Sequence, residues 1–291
     1  MDKYLIALAY LKELGPVSLK KLLNYFGTAQ NIWQASEGQL KALNLTDKLV
    51  GELVKQRRLL EPDRIIQELA KEKIKTVSLF EPGYPKLLKE IYTPPLVLFY
   101  RGNPAAFNSN YSLAVVGSRK ISNYARTIMP ELLAKVIKQK VVIVSGLAFG
   151  VDALSHHLAL MFKGTTLAVI GSGLSRLYPA GNRVLADRIV KSGGLLVSEF
   201  APMVGPLPSN FPRRNRIIAG LVQAVLVVEA ADQSGALITA YSSIEQNREV
   251  LAVPQNIDLP NSVGVNGLIG RGAKVVTKAE DILETLGLIN N

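Results

Sequence analysis

The sequence predicts an α/β protein: a Rossmann-like, doubly wound parallel sheet preceded by a small all-helical domain. Three observations carry this reading. From Leu113 onward, short apolar runs of strand length alternate with helical stretches, and continuous apolar strands joined by crossover helices require a parallel sheet covered on both faces. Before about residue 73 the segments read as helix throughout, punctuated by Gly15-Pro16 and Gly27-Thr28. Hydrophobic residues make up 48% of the 291 positions, ample for a core, and no stretch is of low complexity. The expected division is a helical domain over 1–73 and a Rossmann-like domain over 74–291, with 74–110 as a lead-in.

In the helical domain, Ser18 can cap a helix that runs through Phe26 and stops at Gly27. Ser36 with Gln39 forms a capping-box pattern, Thr46 opens a longer amphipathic stretch, and Pro62 fits the first turn of the helix after it. Short helices joined this way suggest a SAM-like or helix-hairpin-helix bundle. Its turn reads Gly-Pro-Val-Ser in place of the Gly-x-Gly that contacts a DNA backbone, so a packing or scaffold role fits at least as well.

The lead-in contains two short strands, Thr76 to Phe80 and Leu96 to Tyr100, with Pro82-Gly-Tyr-Pro85 and a short helix between them. Asn103-Pro104 turns the chain into the sheet domain. There the expected strands are 113–116, 141–144, 167–170, 195–197, 225–228, 250–253 and 274–276. The expected helices are 125–139, 152–162, 183–191, 216–222, 237–246, 265–269 and 279–286.

Composition narrows the functional classes. Lys and Arg number 34 against 23 Asp and Glu, a net charge of +11, which makes nucleic acid a candidate partner. The absence of cysteine excludes disulfides, thiolate catalysis, Fe–S clusters and Cys-based zinc sites. The start Met-Asp-Lys-Tyr-Leu has no signal-peptide pattern, and no apolar run approaches the ~18 residues of a membrane span. A cytoplasmic protein with no membrane association is expected.

Ligands of open parallel sheets bind outside the carboxyl ends of the strands, where small and polar residues collect here. The first strand of the domain ends in Gly117-Ser118-Arg119-Lys120. The second ends in Ser145-Gly146, followed by Ala148-Phe-Gly150-Val-Asp152, and the third in Gly171-Ser172-Gly173. Glycine lets a backbone approach an anion, and a helix N-terminus supplies donors. Neither the Gly-x-Gly-x-x-Gly fingerprint nor the Walker A spacing is present, so a nicotinamide cofactor is not indicated and no cofactor is expected.

The densest feature is Phe211-Pro-Arg213-Arg214-Asn215-Arg216, predicted to lie in a loop rich in proline (Pro202, Pro206, Pro208, Pro212) that leads into an apolar helix. Three glycine-bearing loops converging with Arg119, Lys120 and this cluster predict a groove for a phosphate backbone. Phe211 can stack a base, which contributes ~1–3 kcal/mol, or plug the core beneath the loop. An aromatic beside arginines favours single strands, whose bases expose their faces. Asp152 and His156 share a helix face and are expected to form a structural hydrogen bond rather than an acid–base dyad. Glu199 and Glu229 near strand ends could hold a metal, although no spacing demands one; capping or pairing with arginine is the other reading.

Residues 77–286 resemble the DprA/Smf family of DNA-processing proteins. The resemblance rests on Val116-Gly-Ser-Arg-Lys120, Ser145-Gly-Leu-Ala148 with Gly150-Val-Asp152 and His156, and Gly171-Ser-Gly-Leu174 before Tyr178-Pro179. It continues through Ser198-Glu199, the stretch Phe211 to Gly220, Val228-Glu-Ala230, Ser234-Gly235 with Ile238-Thr-Ala240, Ala252-Val-Pro254 and Gly272-Ala-Lys274. Tyr84-Pro-Lys-Leu-Leu88 and Pro94-Pro-Leu-Val-Leu-Phe-Tyr100 fit upstream.

The resemblance implies a non-enzymatic, homodimeric protein of natural transformation and recombination. Such a protein binds and protects incoming single-stranded DNA and loads the RecA recombinase. By the same carry-over, Arg119 and Arg214 hold phosphates and Phe211 stacks a base. Gly117, Ser118, Gly171, Ser172 and Gly173 offer donors, and Asn215 orients the loop or contacts DNA.

Phe149 departs from the family pattern, standing where many members carry a basic residue. The winged-helix domain that some members append is not expected in a chain ending at Asn291. Leu268, Ile269 and the final helix are candidates for contacts with a second copy or with RecA. Two alternatives, one an enzyme and one a sensor, remain beside the strand-binding reading. One is a nucleotide phosphoribohydrolase, against which stands the lack of a glutamate after Thr239 in the loop that begins at Ala231. The other is a sensor of a free nucleotide.

Overall fold

The computed structural model of the protein describes residues 2–11, 13–43 and 45–289. Six helices come first: α1 (Lys3–Ala9), α2 (Pro16–Phe26), α3 (Ala29–Gln34), α4 (Glu37–Lys41), α5 (Asp47–Arg57) and α6 (Pro62–Lys71). Their starts follow from side-chain oxygens that satisfy free backbone N–H groups. Asp2 accepts from Tyr4 and Leu5, Thr28 caps α3, Ser36 and Gln39 form the expected capping box, and Thr46 caps α5. Helix α2 starts earlier than Ser18, at Pro16 behind Gly15. Proline at the first helical position has its φ preset and no N–H to satisfy, so it nucleates the turn that Ser18 was expected to open. Gly27, at φ 75°, ends α2 as expected.

The two lead-in strands, β1 (Lys75–Ser78) and β2 (Val97–Gly102), flank the short helix α7 (Lys86–Lys89). They join the main sheet, pairing antiparallel as β1 with β2 and β2 with β6 (Leu195–Ser198). The remaining strands are parallel: β3 (Ser112–Val116), β4 (Val142–Ser145), β5 (Thr166–Val169), β6, β7 (Ala224–Val227), β8 (Glu249–Ala252) and β9 (Lys274–Val275). The order across the sheet is β1-β2-β6-β5-β4-β3-β7-β8-β9. The chain therefore steps outward from β3 to β6 on one side, then returns to place β7 on the other side of β3. The carboxyl ends of β3 and β7 form the topological switch point.

Helices α8 (Asn123–Lys138), α9 (Val151–Met161), α10 (Arg183–Lys191), α11 (Asn210–Gly220), α12 (Gly235–Glu245), α13 (Val263–Gly270) and α14 (Ala279–Thr285) cover the sheet. Alternation along β3 shows that both faces are buried. Leu113 and Val115 pack with Met129 and Leu133 of α8 and Ile282 of α14, while Ala114 and Val116 face a second core. That second core is continuous with the helical segment, including Leu8, Leu22 and Ile32. Tyr10 meets Phe99 of β2 edge-on at 5.9 Å between ring centroids. Leu268 is 2% exposed within the same core, which removes it as a candidate surface contact.

Phe99 is fully buried at this junction. Phe99→Ala is expected to lower unfolding stability by about 3–5 kcal/mol, read as a drop in the urea midpoint. A loss under about 1 kcal/mol would mean that the helices do not lean on β2 as described.

Candidate nucleic-acid interface

The loop after β3 is locked by its own hydrogen bonds. The Ser118 N–H donates to the Glu229 carbonyl at 3.1 Å, and the Val151 N–H to the Ser118 carbonyl at 3.1 Å. The Ser118 hydroxyl donates to the Lys120 carbonyl and accepts from the Lys120 N–H. A Cβ on Gly117 would collide with Val151, so glycine there serves close packing. The donors expected from Ser118 are thus spent inside the loop, and what it presents outward is the exposed side chains of Arg119 and Lys120. The buried Glu229 carboxylate accepts from the Ser122 N–H at 3.0 Å, so of the two readings offered for it, capping holds.

The basic cluster lies on a helix rather than in a loop. Helix α11 begins at Asn210, six residues before the expected start, with Pro212 in its first turn, where proline costs no hydrogen bond. Helical spacing then turns Arg214 and Asn215 inward. Arg214 is 5% exposed. Its guanidinium donates to the Gly146 carbonyl at 2.5 Å, to the Val169 carbonyl and, through Nε, to Asn215 Oδ1. This corrects the phosphate role expected of Arg214, because its donors tie the ends of β4 and β5 to α11.

A Cβ on Gly146 would run into the Arg214 guanidinium, which is why that position is glycine. Asp152 faces Arg214 and accepts from the Gly146 and Ala148 N–H groups at 3.1 and 3.3 Å. Burial pushes the Asp152 carboxyl above its ordinary range, with Arg214 opposing. Burial lowers Arg214 to about 10, with Asp152 opposing that shift, so the arginine stays charged at neutral pH.

Asn215 donates to the Gly235 carbonyl at 3.1 Å, leaving it an orienting role. Arg216 pairs with Glu199 and donates to the Thr93 carbonyl. Burial raises Glu199, with Arg216 and then Arg213 opposing; of its two readings, pairing with arginine holds. Arg213 is half exposed, with its guanidinium 5.0 Å from the Phe200 ring centroid. Among the described residues, no cluster of His, Asp and Glu could hold a metal ion.

Beyond β5, Gly171, Ser172 and Gly173 are all buried. The Gly173 N–H donates to the Val204 carbonyl at 2.8 Å, and the Ser172 carbonyl accepts from the Ser198 hydroxyl. These three were expected to offer donors at the surface; their burial leaves them framing the site instead. Gly171 lies under the Phe211 ring, where a Cβ would sit 2.9 Å from Cδ1.

Phe211 is half buried: it packs on Gly171, and part of it stays accessible. The Arg119 guanidinium lies 5.7 Å from its centroid and Tyr178 5.8 Å away. Tyr178, 44% exposed, was not among the predicted site residues. Its signal was the Tyr178-Pro179 motif, to which no role was attached. Phe149 is also exposed and packs on Gly181. A depression of about 120 Å³ opens between Arg119, Phe211, Asn215 and Thr239, with Asp152 and Arg214 in its lining.

A doubly wound sheet extended by two antiparallel strands, with aromatics and cations at its switch point, defines a Rossmann-like α/β protein. The chain belongs to the family of DNA recombination-mediator protein A, whose model matches residues 75–287. It is 37% identical to Protein Smf of Synechocystis sp. over 292 aligned residues, covering 98% of this chain and 73% of that protein. It is 40% identical to DNA processing protein DprA of Bacillus subtilis over 223 residues, covering 77% and 75%. Among solved structures, DprA of Streptococcus pneumoniae matches with a TM-score of 0.83 and 35% identity over 98% of both chains. DprA of Helicobacter pylori, described for its single-stranded DNA binding mode, matches with a TM-score of 0.67 and 26% identity over 74% of this chain and 95% of that one. The resemblance read from the motifs is thereby established.

Asp152 and His156 do not pair. His156 Nδ1 meets the Thr166 hydroxyl at 2.7 Å, and that hydroxyl already donates to the Ile143 carbonyl, so Nδ1 carries the proton. Nε2 is buried without a partner among the described residues, and burial lowers the His156 pKa to about 3. The unfolded chain binds a proton here near pH 6.5 and the folded chain does not, so stability falls as pH drops below 6.5. Between pH 7 and pH 5 this amounts to about 2 kcal/mol. Unfolding free energies from urea titrations at the two pH values should differ by that much more in the wild type than in His156→Leu; equal acid sensitivity would show that the ring is protonated in the fold.

Proposed function

We propose that the protein binds single-stranded DNA across the switch point of its sheet and acts without catalysing a reaction. The observation that carries this reading is the half-exposed Phe211 ring, flanked by Tyr178 and the free Arg119 guanidinium, with Lys120 beside them. Unpaired bases present faces to such rings, whereas duplex bases do not. The H. pylori relative, whose structure is described for single-stranded DNA binding, supports it. Binding is favoured over hydrolysis because the nearby carboxylates are engaged: Asp152 by two backbone donors, Glu229 by Ser122 and Glu199 by Arg216.

The finer parts of the reading belong to the same proposal. They are protection of incoming DNA during transformation, loading of RecA onto it, action as a homodimer and residence in the cytoplasm. No helix among the described residues is long and apolar enough to cross a membrane. The helical segment 1–73 is taken as a scaffold for the DNA-binding part, 74–291. Of the predicted contacts, those with side chains turned outward are Arg119, Lys120, Phe211 and Arg213; the others shape the site.

Fluorescence anisotropy with labelled oligo-dT and its duplex, across a salt series, tests the core of this. The single strand should bind more tightly, and Arg119→Ala should weaken it and make the log–log salt slope shallower by about 0.7. Phe211→Ala should cost about 1–3 kcal/mol with little change in slope. Equal binding of both forms, indifferent to Arg119, would sink the proposal. RecA loading is read separately as a shorter lag in RecA filament assembly on the bound oligonucleotide, and an unchanged lag removes that part.

A further inference from the structure

A second basic feature lies outside the switch point. A groove of about 900 Å³ runs along α10 toward the end of α6. Arg176 and Arg183 stand at the end nearer the switch point, and Lys191 and Lys73 lie further along. All four are exposed, and none has a carboxylate within ion-pair distance among the described residues. The two acids in the lining differ. Glu72 is held by Arg101 at 3.3 Å and by the Ser175 hydroxyl, so its charge is compensated. Asp187 makes no ion pair among the described residues, with Arg183 and Lys191 one helical turn to either side of it. A surface with this balance attracts a polyanion.

The groove shares a wall with the proposed site. Gly171 and Tyr178, at the two ends of one loop, both contact Phe211, while Leu174 to Leu177 between them line the groove. The loop is pinned on the groove side, since Arg101 donates to the Leu174 carbonyl and the Ser175 N–H donates to the Pro202 carbonyl at 3.0 Å. Tyr178 thus stands where the two surfaces meet. The lining also includes Met203, 58% exposed, and the half-buried Leu177, apolar surface suited to sugars and bases.

Resting on the strand-binding reading, we propose that this groove takes the backbone of the nucleotides that leave the Phe211–Tyr178 pair. The bound strand then extends from the switch point along α10. A basic groove continuous with aromatic platforms is how single strands are tracked without regard to sequence. An acidic peptide would satisfy the cations but would have no use for the continuity through Tyr178.

The test is anisotropy of the full chain with labelled oligo-dT from about 4 to about 16 nucleotides, the range of site sizes of a single-strand-binding module. The Arg176→Ala/Arg183→Ala double variant should bind the shortest strands as the wild type does. It should bind the longest about tenfold more weakly at about 0.1 M salt, with a slope shallower by about 1.4. Asp187→Asn should move the long-strand affinity the other way. Long-strand affinity and slope unchanged in the double variant would overturn the groove while leaving the switch-point site standing. Failure of the wild type to bind even short strands would overturn both.

Discussion

The arrangement at the switch point depends on one buried cation. Arg214 places a guanidinium where the ends of β4 and β5 and the start of α11 meet, and it donates to a carbonyl from each strand end. Those carbonyls point out of the sheet where its ladder stops, so they need a partner once helices cover them. Both accept from the same Nη1, while Nε donates to Asn215 Oδ1; a lysine, with all its donors on one atom, has no second nitrogen to hold the asparagine as well. Asp152 supplies the opposite charge and holds the loop of Gly146 and Ala148 with its carboxylate. A pair this deep earns little net stability against apolar residues of the same volume, but losing one partner leaves an uncompensated charge. Its effect is positional. Phe211 precedes Arg214 by one helical turn, so fixing the guanidinium fixes where the ring emerges.

The same economy governs the loops around it. The hydroxyl and N–H groups of Ser118, the N–H of Gly173 and the amide of Asn215 all have partners within the protein. A ligand here meets few free backbone donors and is left with aromatic faces and flexible cations. Recognition by stacking and point charge tolerates any base and responds to salt, whereas a lattice of backbone donors would demand a defined phosphate geometry.

Much of this was legible in the sequence, and what was hidden was hidden for physical reasons. Strands β3 to β8 announce themselves because burial on both faces demands continuous apolar runs. The attachment of β1 and β2 does not, since short strands carry no register that names a partner. The start of α11 was masked by its prolines, which read as loop even though the first turn of a helix accepts them. The burial of Arg214 could not be read at all: arginine is normally exposed, and the hint, a glycine at 146 with no room for a Cβ, becomes meaningful only once the guanidinium is seen against it. The four-residue spacing of Asp152 and His156 set both on one helix, but each found a nearer partner.

The size of the depression favours a strand over an enclosed free nucleotide as occupant. The depression at the switch point has a volume of about 120 Å³. That is far below the 300–1,000 Å³ typical of pockets that enclose a small molecule. A mononucleotide could put a phosphate or a base edge there but could not be enclosed, and most of its surface would stay in water. A strand loses nothing by this, because its affinity accumulates along its length. In the proposed binding mode the depression, with Phe211 and Arg119 in its lining and Tyr178 against the Phe211 ring, is one stop on a path that continues over the surface.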